Sequence, residues 1–264
     1  MIRNKKMIKI FETHAHYDDD AFDEDRYSLL SSLRENGIDK AVNIGANLST
    51  SKATVELTKK YDFMYGVVGV HPSDIRELET EGAIDVIEKL AVENSKVVAI
   101  GEIGLDYHYD DADEALQKKW FINQMELARK LKLPIVVHSR DGAKDTMDIM
   151  TAENAQDIGG VVHCFSYGKE VAKTFLDMGF YLGVGGVVTF KNGKKLKDVV
   201  EYAPLDRIVL ETDCPYLAPE PFRGRRNSSL YIPYGAQVIA DIKGIDVEEL
   251  YQITYNNAMK LYRL

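Results

Sequence analysis

Cysteine is scarce, with only Cys164 and Cys214 in 264 residues. Two thiols cannot build the framework of a disulfide-stapled secreted domain, and a chain of this length buries a sizeable core without one. No stretch approaches the ~18 unbroken apolar residues of a membrane span. Met1 to Lys6 is basic but runs through Ile8 and Ile10 into Glu12, Thr13 and His14, so no apolar signal-peptide core follows it. Positive charge is also short. Lys and Arg number 33 against 42 Asp and Glu, a net charge of −9, which excludes bulk-charge coating of nucleic acid or an anionic membrane. A polyanionic ligand has to meet a local patch. No Ser/Pro-rich linker, low-complexity tract or change of composition divides the chain, so one domain over residues 1–264 is expected, in the cytoplasm and with free thiols. No residue pattern fixes an oligomer, and a monomer is expected.

What is present is a rhythm. Short Val/Ile-rich runs predict strands at Lys9–Glu12, Lys40–Ile44, Met64–Val70, Val97–Ile103, Pro134–His138, Gly160–Cys164, Tyr181–Val187 and Arg207–Glu211. Helical periodicity fills the intervals at Asp25–Asn36, Ser49–Lys60, Ala83–Glu93, Asp113–Leu131, Gly142–Glu153, Gly168–Met178 and Gly193–Ala203. Tyr234–Lys243 follows the last strand, and Asp246 opens a final helix to Leu261. Continuous runs such as Ile135-Val136-Val137 fit parallel strands buried on both faces. Eight βα cycles predict a (β/α)8 TIM barrel. The longest irregular insertion is Leu217–Tyr234, in and beside which lie four of the seven prolines (Pro215, Pro219, Pro221, Pro233).

In such a barrel the active site lies at the C-terminal strand ends. His14 and His16 fall at the first, Glu102 at the fourth, His138 at the fifth, His163 at the sixth and Asp213 at the eighth. A fifth histidine, His71, ends the third. Residues two apart on a strand face the same side, so His14 and His16 can chelate one ion. A lone histidine after an apolar strand is ordinarily a satisfied core residue; six such groups at one rim are not. Imidazoles with carboxylates suit Zn, Mn, Co or Ni better than Mg. Six ligands exceed the three or so of a catalytic zinc, so two divalent cations are expected. His14, His16, Glu102 and Asp213 would serve one and Glu102, His138 and His163 the other.

The runs Thr13-His14-Ala15-His16, Gly69-Val70-His71-Pro72, Gly101-Glu102-Ile103-Gly104-Leu105-Asp106-Tyr107, His138-Ser139-Arg140-Asp141, His163-Cys164-Phe165-Ser166 and Glu211-Thr212-Asp213-Cys214-Pro215-Tyr216 resemble the TatD family of metal-dependent deoxyribonucleases. The resemblance runs in order over essentially the whole chain. It implies an amidohydrolase-type TIM barrel, a divalent-metal hydrolase and 3′→5′ trimming of single-stranded DNA and RNA. It carries the metal residues onto the same six positions, and Mg joins the candidate ions. Two departures stand out. Glu12 replaces the family's usual Asp, and Asn227-Ser228-Ser229 replaces Asn-Glu-Pro; neither is expected to touch a ligand. Met1–Lys6 precede the usual start at Met7 and read as an N-terminal extension.

Asp213, and with it Glu102, is the catalytic candidate, Asp213 as proton acceptor. Glu211 is expected to orient a ligand from behind, or to be a buried structural carboxylate. His71, Asp106 and Tyr107 are substrate-binding candidates through the resemblance. Arg140 and the Arg223, Arg225, Arg226 group suit phosphate, since guanidinium forks phosphate oxygens. Lys191, Lys194 and Lys195 read equally as a solvated helix start. Tyr216, Phe222 and Tyr231 would stack on unpaired bases or pack the Pro-rich loop. Neighbouring strand residues point to opposite faces, so Cys164 and Cys214 are expected in the core on the helical side. Together these residues predict a two-metal phosphodiesterase acting on nucleic-acid ends. A metal hydrolase of amides, esters or aminoacyl-tRNA is the alternative, and a non-catalytic barrel scaffold is disfavoured by the intact ligand set.

Overall fold

The computed structural model describes residues 9–109 and 112–264; the extension expected at 1–6 lies outside them. Eight strands form one parallel sheet in sequential order: β1 (Ile10–Ala15), β2 (Ile38–Ile44), β3 (Met64–Val68), β4 (Val97–Asp106), β5 (Ile135–Arg140), β6 (Gly160–Val162), β7 (Tyr181–Val184) and β8 (Ile208–Leu210). Around it run α1 (Arg26–Ser32), α2 (Leu48–Lys60), α3 (Ala83–Glu93), α4 (Glu114–Leu131), α5 (Ala143–Ala152), α6 (Lys169–Asp177), α7 (Lys194–Tyr202), α8 (Ile232–Lys243) and α9 (Val247–Leu261). This is the (β/α)8 barrel that the alternation predicts. The strands are buried on both faces because helices cover the outside and side chains fill the inside. Asn47 and Thr50 form a reciprocal capping box at α2, while Asp113 and Asp246 cap α4 and α9 through their carboxylates.

Several boundaries move, always for a local reason. β1 continues through His14 to Ala15, and β4 runs on to Asp106, because burial on both faces continues past the polar residues Glu12 and Glu102 that read as strand ends. β7 stops at Val184, where Gly186–Thr189 turns into a short 3-10 helix. The first predicted helix breaks at Leu33 into a 3-10 turn, Arg34–Asn36, ended by left-handed Gly37. β6 ends at Val162, so strand alternation no longer governs Cys164. It has a left-handed φ of 44° and is half-buried at the barrel mouth, whereas Cys214 is buried; both thiols are free.

The β1–β8 seam is closed at the mouth end by few backbone contacts. Asp213 N–H donates to His14 O at 2.9 Å, and His16 N–H to Cys214 O at 2.8 Å. Side chains complete the closure. Thr13 Oγ1 donates to Leu210 O at 3.0 Å. The fully buried Glu12 carboxylate accepts the N–H groups of His14 and Thr212, each at 3.0 Å, and the hydroxyls of Thr212 at 2.6 Å and Ser229 at 2.9 Å. The expectation is therefore corrected for Glu12 alone, which accepts the backbone N–H of the ligand candidate His14; Ser229, from the other departure, bonds Glu12 and no ligand candidate.

Candidate metal centre

Six side chains carried by or closely following five strands converge at the mouth. On one side, His14 Nε2 and His16 Nε2 are 3.2 Å apart. Glu102 Oε2 lies 3.4 and 3.8 Å from them, and Asp213 Oδ1 lies 3.6 and 3.3 Å from them. On the other side, His138 Nδ1 and His163 Nε2 are 3.1 Å apart, with Glu102 Oε1 at 2.8 and 2.5 Å. The two oxygens of Glu102 thus face different histidine pairs. The His14 and His163 rings stack at 4.0 Å between the two groups.

The donor chemistry fits cations. Two imidazole nitrogens 3.2 Å apart can share one proton at most, and carboxylates surround them on buried strand ends. A tetrahedral ion with bonds of about 2.0–2.2 Å places its ligand atoms about 3.3–3.6 Å apart, close to the spacing of the first group. The remote ring nitrogens agree. His16 Nδ1 lies 3.0 Å from Ile44 O, an acceptor, so Nδ1 carries a proton and Nε2 is the atom that presents a lone pair once the ring is neutral. His138 Nε2 lies 3.2 Å from Asp106 Oδ2, so Nδ1 is the free donor atom. Asp106 is in turn held by its Oδ1, which accepts the His108 N–H at 2.9 Å. Such outer partners fix ring orientation and tautomer.

Electrostatics divide the histidines. Burial, reinforced by His163, lowers His14 to about 4, and burial beside His138 lowers His71 to about 3. Burial also acts to lower His16 and His138. Asp213 and Glu102 outweigh it at His16, Asp106 and Glu102 outweigh it at His138, and both are pushed up to about 9. Glu102 is held well below its usual range despite burial, by His163, His138 and His14; Asp213 is lowered too, against burial, chiefly by His16. Both carboxylates are therefore ionised at neutral pH. A raised histidine pKa contributes stability that is complete below the unfolded value near 6.5 and is lost as pH rises through about 9. The thermal midpoint of the ion-free protein should fall across that window. Cation binding must displace the same protons, so apparent affinity should rise with pH, and titration calorimetry in buffers of different ionisation heat at pH 7.5 should count about two protons released. Zero release would remove His16 and His138 from the ligand set.

The other candidates scatter. Tyr107 donates its hydroxyl to the Asp145 carboxylate of α5 at 3.0 Å. Glu211 Oε1 accepts the Cys164 N–H at 2.5 Å and Oε2 has no hydrogen-bond partner, and the residue lies in a group with His14 and His163. Gly183 makes room for it, since a Cβ there would meet Oε2 at 2.1 Å. Burial pushes Glu211 well above the carboxylate range. Arg140 is exposed over the Tyr109 ring, and Arg223 lies over Phe190. Arg225 is exposed. Arg226 forks Asp25 at 2.7 and 2.6 Å, donates to Ala21 O and covers Phe22. Phe222 stacks on Tyr231 at 4.2 Å and meets Tyr234 edge-on, so these rings pack the loop on themselves. Tyr216 stays half exposed, its edge toward His16 and its hydroxyl donated to Asp19. The sequence reading missed the positioning roles of Glu12, Ile44 O and Asp106 toward His138. Only the first carried a signal, a carboxylate directly after the apolar pair Ile10-Phe11 at the start of a buried strand.

A family model described as TatD related DNase matches residues 11–263. The chain belongs to the TatD family. An uncharacterized metal-dependent hydrolase of Bacillus subtilis, YabD, is 42% identical over 97% of this chain and 99% of the relative. An uncharacterized metal-dependent hydrolase of Escherichia coli, YcfH, is 35% identical over 97% of this chain and 96% of the relative. Among solved structures, the Escherichia coli TatD homolog YjjV superposes with a TM-score of 0.91 at 27% identity, covering 98% of this chain and 99% of that one. This TatD protein is accordingly a metal-dependent hydrolase. Among its described residues no helix is long and apolar enough to cross a membrane.

Proposed function

We propose that this TatD protein is a two-ion phosphodiesterase that trims single-stranded DNA or RNA from the 3′ end, as a cytoplasmic monomer. The observation that carries the two-ion reading is Glu102, whose Oε2 faces His14 and His16 while its Oε1 faces His138 and His163. Divalent cations held there, whether Zn, Mn, Ni, Co or Mg, would lower the pKa of a water and draw charge from a phosphoryl oxygen. The protein's own groups do the rest. Asp213 is ionised, anchored through its N–H on His14 O and 16% exposed at its side chain, so its carboxylate can accept a proton at the mouth. Asp106 and Ile44 O hold two rings in register. Arg140, Arg223 and Arg225 supply the local positive rim that an acidic chain needs to meet a polyanion.

The deciding experiment assays purified protein, reconstituted with Mn, Zn or Mg, on end-labelled single- and double-stranded DNA and RNA beside N-acyl and ester substrates. Metal-dependent release of mononucleotides from one end supports the proposal; turnover of carbonyl substrates alone overturns it. Strand grip has a separate signature. Neutralising Arg223 and Arg225 should raise KM for an oligonucleotide and flatten the salt dependence of binding by about 1.4 in log K per log salt, about 0.7 for each single-strand phosphate contact. Turnover of a small chromogenic phosphodiester should persist. Arg226→Ala should instead lower the thermal midpoint, because its guanidinium ties the loop to Asp25. An unchanged slope in the double variant would place the strand elsewhere.

A further inference from the structure

The tautomer logic that leaves His16 and His138 with lone pairs toward the cations runs the other way at His71. This residue follows β3 and caps the 3-10 turn Pro72–Glu79, its Nδ1 accepting the backbone N–H of Ser73 at 3.1 Å. A backbone N–H can only donate, so Nδ1 holds the lone pair and the neutral ring carries its proton on Nε2. That Nε2 faces the second histidine pair, 3.8 Å from Glu102 Oε1, too far for a direct hydrogen bond. By distance alone His71, Glu102 and His138 form a possible ligand group. The cap excludes it. Ligation through Nε2 would move the proton to Nδ1, donor against donor at Ser73. The ring has little freedom to escape. His71 N–H donates to Ala46 O at 2.8 Å, the following Pro72 favours the extended backbone seen here (φ −62°, ψ 147°), and the ring meets His138 edge-on at 4.3 Å.

We propose that His71 is a catalytic residue of another kind, a fixed Nε2–H donor to a non-bridging phosphoryl oxygen of the substrate, and not a metal ligand. This rests on the phosphodiester reading above. The side chain is 16% exposed, so an oxygen entering from the mouth can reach the proton. No proton is transferred; the hydrogen bond strengthens as negative charge gathers on that oxygen. A preset donor of this type is worth about 10²–10³ in kcat.

His71→Asn separates donor from cap, because asparagine is a good helix-cap acceptor but cannot extend an N–H to the Nε2 position. The variant should keep its thermal midpoint and its cation content while losing about 100-fold in kcat on a phosphodiester, with inorganic phosphate binding about 10-fold weaker. Nitrogen-15 NMR of histidine-labelled protein, ion-free and zinc-loaded, should show His71 protonated at Nε2 in both forms. Loss of a bound cation in the variant, an Nδ1–H tautomer, a zinc-shifted Nε2 signal, or unchanged kcat would each overturn the assignment. Should the wild type cleave no phosphodiester, the functional reading fails and takes the phosphoryl acceptor with it; the NMR arm still decides between donor and ligand.

Discussion

Glu102→Gln is expected to abolish hydrolysis, by about 10³-fold or more, and to strip both cations. Glutamine preserves the shape of the side chain but removes its charge and replaces one oxygen with an NH2 that cannot ligate a cation. The carboxylate stands 2.5–2.8 Å from His138 and His163 through one oxygen and 3.4–3.8 Å from His14 and His16 through the other. Whichever way the amide turns, one histidine pair loses its anionic partner and the other keeps only a neutral oxygen. His163→Ala should differ, loosening only the cation on the Glu102 Oε1 side. Elemental analysis after dialysis reads the contrast directly, at near zero bound ions per chain for Glu102→Gln and near one for His163→Ala. Equal losses in the two variants would contradict a shared carboxylate. Circular dichroism should show both folded, because the ligands sit at the rim and the barrel's packed layers lie below them.

The fold and the six clustered side chains are legible in the sequence for one reason, that a parallel barrel strand ends where an unbroken apolar run meets a polar side chain. Val161-Val162 before His163 carries that signature, with β6 ending at Val162, and Ile135-Val136-Val137 marks the approach to the mouth at His138 although β5 runs on to Arg140. The signature fails when burial continues past the polar residue. Glu102 lies inside β4, with Ile103 and Leu105 buried beyond it, so the strand reaches Asp106 and brings that carboxylate onto His138. It also fails for contacts between distant segments. The Arg226–Asp25 pair spans 201 residues, and the Glu12–Ser229 hydrogen bond spans 217. No local pattern encodes such partners, so Arg226 reads as a free phosphate ligand and Glu12 as an isolated substitution. The Cys164 expectation fails through a single left-handed φ after β6, which no side-chain type at that position announces.

The longer reach of β4 makes the metal centre depend on a glycine outside it. Gly104 pairs in register with His138 across β4 and β5, at a φ of +146° that side-chain-bearing residues rarely adopt. A Cβ built there falls 1.9 Å from the carbonyl oxygen of His138, an atom of a strand backbone that cannot rotate aside. Gly104→Ala must therefore push β5 away at the residue whose Nδ1 faces Glu102. Overpacking and backbone strain together should cost about 4 kcal/mol, lowering the thermal midpoint by about 10 °C. Gly159→Ala is the matched control. Its φ is +74° but nothing lies within 4 Å of the added Cβ, so strain acts alone and the cost should be about 1 kcal/mol. The two variants should part further in cation content. Gly159→Ala keeps the wild-type load, whereas Gly104→Ala loses the cation of the His138 and His163 pair, because moving one ring by an ångström breaks a spacing that is now 3.1 Å. Wild-type loading in Gly104→Ala would mean that β4 gives way instead of β5 and that His138 keeps its place.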